Sequence, residues 1–191
     1  NVDVYTAGFG AQYGNRTSAI VDVHTKDGNK NNIAGVFSTS PIMTRALLEG
    51  PLVKSKKHEG AGVTFLVTGK TSYLDQTSKS IYGSLGEPFK SGLPYRFTDV
   101  YGKITVSGDN GSKLNVFGFS FDDQSKMDSA GVPILDYHWK AQGGGATFVV
   151  SPGSTSALID GKFAYSDYNI GLGQVNLPTQ ASKSTSQING F

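Results

Sequence analysis

A pair of alternating segments joined by a tight turn is the feature that most constrains this chain. Residues 95–107 and 112–122 alternate apolar and polar side chains, and Gly-Asp-Asn-Gly lies between them at 108–111. Two such runs around such a turn predict a β-hairpin, because successive side chains of a strand point to opposite faces. One face of the second run then carries three aromatic side chains: Phe117, Phe119 and Phe121.

The rest of the chain repeats this pattern, which predicts an all-β fold. Alternating runs from residue 33 onward indicate about six to seven strands. The turns at 108–111 and 151–154 are short, whereas the connections at 75–93, 123–137 and 167–184 are long. Short connections at one end and long ones at the other are typical of a transmembrane antiparallel β-barrel. Six or seven strands are too few to close one, so the pattern predicts a partial barrel.

The composition excludes several classes of function. Lys and Arg number 17 against 15 Asp and Glu, so the net charge of +2 is nearly balanced and no basic block indicates nucleic acid. The chain has no cysteine, and its 3 histidines are scattered, so neither a disulfide nor a metal site is predicted. No serine lies in a nucleophile elbow. We therefore expect no enzymatic activity and no cofactor.

The beginning of the chain differs from the rest. Gly10, Tyr13 and Gly14 lie in a glycine-rich bend, where glycine permits positive φ at little cost. The alternating run at 18–25 predicts a strand, and the residues at 26–29 are typical of a turn. Val2 and Val4 alternate with polar residues at 1–6, so this part of the chain is expected to be a short strand, the bend and then a second strand.

A polar linker at 29–32 is the predicted domain boundary. It divides the chain into residues 1–32 and residues 33–191, and the second part contains the repeated strands. The first of these, at 33–50, is expected to be extended with an interruption at Pro41, because proline lacks the N–H that a sheet requires.

Six short segments resemble one family. The chain carries GAQYGNR at 10–16, SAIVDV at 18–23, TKDG at 25–28, LEGPL at 48–52, GKTSYLD at 69–75 and GGGATF at 143–148. The first three are similar to the end of the plug domain of TonB-dependent outer-membrane receptors. The fourth is similar to the first barrel strand of that family, and the last two to barrel strands of its Bacteroidota branch. The resemblance covers essentially the whole chain.

The resemblance implies a location and an activity. Residues 1–32 would be the C-terminal part of the plug domain, and residues 33–191 the first strands of a large β-barrel in the bacterial outer membrane. The activity would be active uptake of a siderophore, vitamin, glycan or peptide. The TonB–ExbB–ExbD complex would supply the energy through a contact site that is not in this segment. Outer-membrane lipids and a SusD-like lipoprotein, or another outer-membrane protein, would be further partners.

The resemblance also implies roles for individual residues. Plug arginines of the family pair with glutamates of the barrel wall, so Arg16 and Glu49 would form a plug–barrel lock. Such a pair in a partly dry lumen would hold the plug until force is applied. In a barrel, the phenylalanine face defined above is expected to contact lipid: Phe117, Phe119 and Phe121.

A soluble, secreted β-sandwich that binds carbohydrate is the alternative. In that fold the three phenylalanines would be buried between two sheets. Trp139 and tyrosine side chains would then stack against sugar rings. The two interpretations differ in what covers the apolar sides of the strands, which is lipid in a barrel and protein in a sandwich.

Overall fold

The computed structural model describes residues 2–6, 10, 19–54, 61–83, 92–129, 132–152, 157–174 and 177–189, with side chains described outside 127–135 and 173–189. The strands are β1 Val2–Tyr5, β2 Ile20–Val23, β3 Ala34–Thr39, β4 Met43–Val53, β5 Gly62–Ser72, β6 Tyr95–Ser107, β7 Lys113–Ser129, β8 Val132–Val150, β9 Ile159–Gln174 and β10 Leu177–Asn189. One helix, α1 Leu74–Tyr82, lies between β5 and β6 in the described part of the chain. The all-β prediction is confirmed.

Eight of the strands form one antiparallel sheet. Every strand from β3 to β10 pairs with its neighbour in the chain, so β3 and β10 are the two edges. β1 and β2 form a separate two-stranded antiparallel ribbon, in which Val2 is opposite Val23. The described residues after position 33 therefore contain eight strands rather than six or seven.

The chain at 33–50 forms two strands instead of one. β3 and β4 pair with each other across a tight turn at Ser40. The Ser40 N–H donates to the carbonyl of Met43 at 2.9 Å, and the Ser40 hydroxyl accepts from the N–H of Met43 at 3.2 Å. Pro41 therefore lies in a hairpin turn, where the missing N–H of proline costs no sheet hydrogen bond.

Two of the connections predicted to be long are mostly strand. β7 and β8 extend through 123–137, and β9 and β10 extend through 167–184. The extension is made by backbone pairing between adjacent strands, such as Ser125 opposite Tyr137. Because backbone N–H and C=O groups supply this pairing, polar side chains do not prevent it.

The turn at 108–111 forms as predicted. The N–H of Gly108 donates to the carbonyl of Ser112 at 2.8 Å, and Asn110 Oδ1 accepts from the N–H of Ser112 at 3.0 Å. Gly111 has a φ of 83°, in the left-handed region that glycine adopts without strain. The turn joins β6 to β7.

Helix α1 is attached to the chain that follows it. Ser78 on the helix is fully buried, and its hydroxyl accepts a hydrogen bond from the N–H of Leu93 at 2.7 Å. Between them, Gly92 has a φ of 83°, and a Cβ there would lie 2.9 Å from Ser78 Oγ. Asp75 in the first turn and Lys79 in the last complement the helix dipole. The described part of this connection is thus a short helix that is tied to residues 92 and 93.

One face of the sheet, which we call the apolar face, exposes a continuous set of large hydrophobic side chains. Residues directly opposite on adjacent strands lie on the same side, as in the pairs Ile104–Val116 and Leu114–Phe148. The exposed members, from β3 to β9, are Phe37, Leu48, Val67, Val100, Ile104, Val106, Leu114, Val116, Phe148, Val150, Ile159, Phe163 and Tyr165.

The apolar face ends in polar residues on one side. On β6 it runs from Val100 to Val106, about 20 Å along the strand at roughly 3.3 Å per residue. Farther from the 108–111 turn, the same face carries polar side chains: Ser120, Asp122, Gln142, Lys140, His138 and Asp167. The apolar band therefore occupies the half of the sheet next to the 108–111 turn.

The opposite face, which we call the anchor face, is mixed in character. A row across four strands places Glu49 next to Leu66, Leu66 next to Lys103, and Lys103 next to Phe117. Among the described side chains, the buried hydrophobic ones are Leu66 and Ala141, and both lie on this face. This face carries the site described next.

Candidate functional site: an anchored segment

Residues 25–28, the anchor segment, cross the anchor face of the sheet. They follow β2 and contact four successive strands, β4 to β7. The contacted residues, three from β6 and one from each of the other strands, are Glu49, Phe65, Tyr101, Lys103, Thr105 and Lys113. A segment of only four residues is thereby tied to the middle of the sheet.

The carboxylate of Asp27 is held by two lysines from neighbouring strands. Its Oδ1 lies 2.8 Å from Lys103 Nζ, and its Oδ2 accepts a hydrogen bond from Lys113. The Thr105 hydroxyl lies 3.3 Å from Asp27 Oδ1, and Thr105 is itself buried. Because the Lys103 side chain is only 7% exposed, water compensates its charge poorly and Asp27 does so instead.

Lys103 also binds the backbone of the anchor segment. Its ammonium donates to the carbonyl of Thr25 at 3.0 Å and to that of Lys26 at 3.4 Å. The Thr25 hydroxyl oxygen also lies 3.4 Å from this ammonium, so its three donors are shared among Asp27, Thr25 and the Lys26 carbonyl. Tyr101, two residues earlier on β6, lies with its hydroxyl 2.7 Å from Thr25 Oγ1. The sheet therefore binds both the backbone of the anchor segment and the charged side chain of Asp27.

The pKa of Asp27 reports the balance of these forces. Burial raises it, but the hydrogen bonds and charges of Lys103 and Lys113 outweigh burial and lower the pKa below its ordinary value of 3.8. The carboxylate is therefore ionised throughout the neutral range, and its ionised form stabilises the anchored state.

Gly28 allows the backbone of the anchor segment to lie directly on β5. A Cβ at Gly28 would clash with the carbonyl oxygen of Phe65 and would lie 2.8 Å from its carbonyl carbon. The neighbours of Phe65 on β5, Thr64 and Leu66, are buried on either side of this contact. Glycine is required here because the approach is closer than any side chain permits.

Glu49, one half of the predicted lock, forms a different ion pair. Its Oε1 lies 2.8 Å from Lys26 Nζ of the anchor segment. Arg16 lies outside the described residues, so the Arg16–Glu49 pair stays a prediction. Glu49 does contact the part of the chain that the resemblance identifies as plug, but Lys26 provides the cation.

The other predicted features of residues 1–32 are described only in part. Gly10 is exposed, and Tyr13 and Gly14 lie outside the described residues. The linker at 29–32 is a bend, in which Asn29 Oδ1 accepts from the backbone N–H groups two and three positions later, at 2.9 and 3.2 Å. The turn expected at 26–29 is instead the anchor segment, followed by this bend.

The three phenylalanines predicted to face lipid lie on the anchor face. Phe117 is opposite Lys103, and Phe119 is opposite Tyr101. The rings cover glycines of β8, since a Cβ at Gly143 would lie 2.8 Å from Phe119 Cζ. Phe121 stacks on Phe119 with 5.1 Å between ring centroids. The prediction that they share a face is confirmed, but the exposed apolar face is the opposite one, so their assignment to lipid is corrected.

A two-layer sandwich is absent from the described part of the chain. A sandwich packs two sheets about 10 Å apart and fills the space with interdigitated side chains. Here the ribbon of β1 and β2 exposes more than half of each of its valines: Val2, Val4, Val21 and Val23. The described apolar face likewise has exposed side chains rather than a covering sheet.

The residues that hold the anchor segment were not identified from the sequence. The sequence predicts a turn at 26–29, because Asp, Gly and Asn are common turn residues, and so indicates no distant partner for Asp27. Lys103 lies in the middle of the alternating run at 95–107, and a charge at the centre of a strand is the signal that could have indicated a buried partner. Its partner, however, lies far away in the chain and cannot be inferred from local pattern.

Comparisons with protein-family models, with curated proteins and with solved structures found no match to this chain. Across the described residues, no three His, Asp or Glu side chains come together in a way that could hold a metal ion. The helix that the structure describes is too short and too polar to cross a membrane. What is established is an all-β chain with one exposed apolar face and one segment anchored on the other.

Proposed function

We propose that this chain is part of a TonB-dependent receptor of the bacterial outer membrane, which imports a ligand and is not an enzyme. The observation that carries the proposal is the exposed apolar face, which extends over strands β3 to β9. A sheet with so much apolar surface would aggregate in water. In a barrel wall, lipid covers that surface.

The dimensions and polarity of the apolar band support this assignment. Outer-membrane barrels carry an apolar band about 25 Å tall, with short turns on the periplasmic side and longer extensions on the other. The band on β6 is about 20 Å long at roughly 3.3 Å per residue, and it adjoins the short turn at 108–111. The polar halves of β7, β8 and β9 would then extend outside the membrane.

The anchor segment supports the assignment of residues 1–32 to a plug. In a closed barrel, the face opposite the lipid lines the lumen, and a plug must be held there. Asp27 and Lys26 bind Lys103, Lys113 and Glu49 of the wall. Lys103 is nearly buried, so its pair with Asp27 would resist thermal release and yield to a pulling force, whereas the more exposed Lys26–Glu49 pair would add little.

The proposed partners follow from the receptor function. The TonB–ExbB–ExbD complex would pull on the plug through a contact outside this segment, and outer-membrane lipids would cover the apolar face. A SusD-like lipoprotein or another outer-membrane protein would meet the extended polar hairpins. No nucleic acid is expected to bind.

Single cysteines can test which face of the sheet contacts lipid, because the chain has no cysteine of its own. Phe163 and Lys162 are adjacent on β9, both exposed, and point to opposite faces. Phe163→Cys and Lys162→Cys would each be labelled with a fluorophore and reconstituted into vesicles that contain nitroxide-labelled lipid. The proposal expects lipid nitroxide to quench the label at 163 strongly and the label at 162 weakly.

The opposite result would support the soluble alternative. If both labels are quenched only by aqueous iodide, and the chain stays monomeric without detergent, the apolar face does not contact lipid and the receptor proposal fails. Strong lipid quenching at position 162 together with weak quenching at 163 would reverse the two faces and would also contradict it.

A further inference from the structure

A second group of side chains on the anchor face lies beyond the anchor segment, toward the polar ends of the strands. One cross-strand row places Phe97, Asp123 and Trp139 side by side on β6, β7 and β8. The row below contains Lys70 and Asp99, paired on β5 and β6. Directly opposite side chains in such rows have Cβ atoms about 4.5 to 5.5 Å apart, so these groups form one surface.

The chain itself already places an ammonium group on this surface. Lys70 Nζ lies 2.7 Å from Asp99 Oδ2 and 5.2 Å from the centroid of the Phe97 ring. A carboxylate beside an aromatic face is the combination that binds an organic cation, since the ring quadrupole and the negative charge act together. One half of the surface is thereby occupied by the side chain of Lys70.

The other half has the same chemistry without a described cation. In the part of the chain that the structure describes, no hydrogen bond or ion pair engages the Asp123 carboxylate, whereas neighbouring Asp122 contacts His138 on the opposite face at 3.2 Å. Trp139, beside Asp123, is 38% exposed. Burial and then the charge of Asp99 raise the pKa of Asp123, and the charge of Lys70 offsets them only in part, so a bound cation would relieve an unfavourable charge.

We propose that Asp123, between Phe97 and Trp139, binds the guanidinium or ammonium group of an organic cation. The inference rests on the proposed receptor function, for which it names the class of ligand. The cation would pair with the carboxylate of Asp123 and lie against the indole ring of Trp139, as Lys70 lies against Phe97. Arginine is the better match of the two natural cations, because its planar guanidinium stacks on aromatic rings.

Trp139 is the only tryptophan of the chain, so its fluorescence reports on this site alone. The full chain in detergent micelles would be titrated with N-acetyl-argininamide, and separately with N-acetyl-citrullinamide, which has the same shape without the charge. We expect saturable quenching with the first probe and none with the second. Asp123→Asn should weaken binding about tenfold or more, because a hydrogen bond to a charged group is lost.

Two further variants make the test decisive. Asp122→Asn removes an equal charge from the opposite face, so binding should stay within about twofold of the original. Lys70→Met removes the internal cation and releases Asp99, so binding should tighten about threefold or more. This gain does not depend on whether Asp123→Asn folds.

Several results would overturn the inference. They are equal quenching by the two probes, equal weakening by Asp122→Asn and Asp123→Asn, no quenching by the charged probe, and unchanged binding in Lys70→Met. Because these titrations need no bilayer, failure here with normal lipid quenching at position 163 would reject the cation site alone. Failure of the lipid test with intact probe binding would reject the receptor and leave a cation-binding sheet.

Discussion

The carboxylate of Asp27 and the ammonium of Lys103 lie 2.8 Å apart, although the two residues are distant in the chain. The pair joins the anchor segment to the middle of β6, where the lysine side chain is nearly buried. Each of the two charges therefore stabilises the other. Replacing one of them tests the attachment of residues 25–28 to the sheet.

Asp27→Asn should weaken the anchor. The variant keeps the size of the side chain but leaves Lys103 without its counter-ion, so we expect the anchored state to lose about 2 kcal/mol. Trypsin cleavage after Lys26 or Lys30 follows the population of the released state, and its rate should rise about 30-fold. Asp160→Asn, an exposed residue of β9, is the matched control. Equal cleavage rates for Asp27→Asn and the original chain would contradict the role of the pair.

The anchor should also weaken in acid. The pKa of Asp27 is lower in the folded state than its ordinary value of 3.8. Its contribution is therefore fully present above pH 3.8 and is lost as the pH falls through the lower folded value. The anisotropy of a dye on Lys30→Cys should fall in that acid range. The same dye in Asp27→Asn should show no such transition, and an equal transition in both would exclude Asp27 as the titrating group.

Gly28→Ala should disturb the contact with β5. The added methyl would clash with the Phe65 carbonyl oxygen, so either the segment or the strand must move. Overpacking of this kind costs about 1 to 3 kcal/mol in the free energy of unfolding. Gly83→Ala is the control, because a Cβ there has no atom within 4 Å and should change stability by less than about 0.5 kcal/mol. Denaturant unfolding in micelles measures both, and similar losses would argue against the close approach.

A lysine in the apolar band should oppose membrane insertion, and its effect should depend on depth. Val116 and Ser120 lie on the same face of β7, but Val116 is within the apolar band and Ser120 is beyond it. Val116→Lys should cost about 2 to 4 kcal/mol in insertion, and Ser120→Lys about 1 kcal/mol or less. The fraction of protein that floats with vesicles measures this difference. Equal recovery of both variants would exclude a bilayer around this face.

Local pattern predicted the strands well and their ends poorly. The turn at 108–111 and the partnership of β6 and β7 follow from alternation and from glycine, which are properties of neighbouring residues. The extension of β7 to β10 through polar residues cannot be predicted in this way. Backbone pairing between adjacent strands stabilises it, whatever the side chains are. The sequence likewise predicts one extended segment at 33–50 that is interrupted at Pro41, whereas Pro41 lies in the hairpin turn between β3 and β4.

The sequence by itself determined that this chain is all-β and that Phe117, Phe119 and Phe121 share one face, because the side-chain period of a strand is two. Only the tertiary structure decided which face that is, since alternation distinguishes two sides without saying what covers each. It also brought Asp27 to Lys103 and Lys113, and placed Asp123 between Phe97 and Trp139. Contacts between residues far apart in the chain depend on how the strands pair and on what crosses the sheet, and no local pattern carries that information.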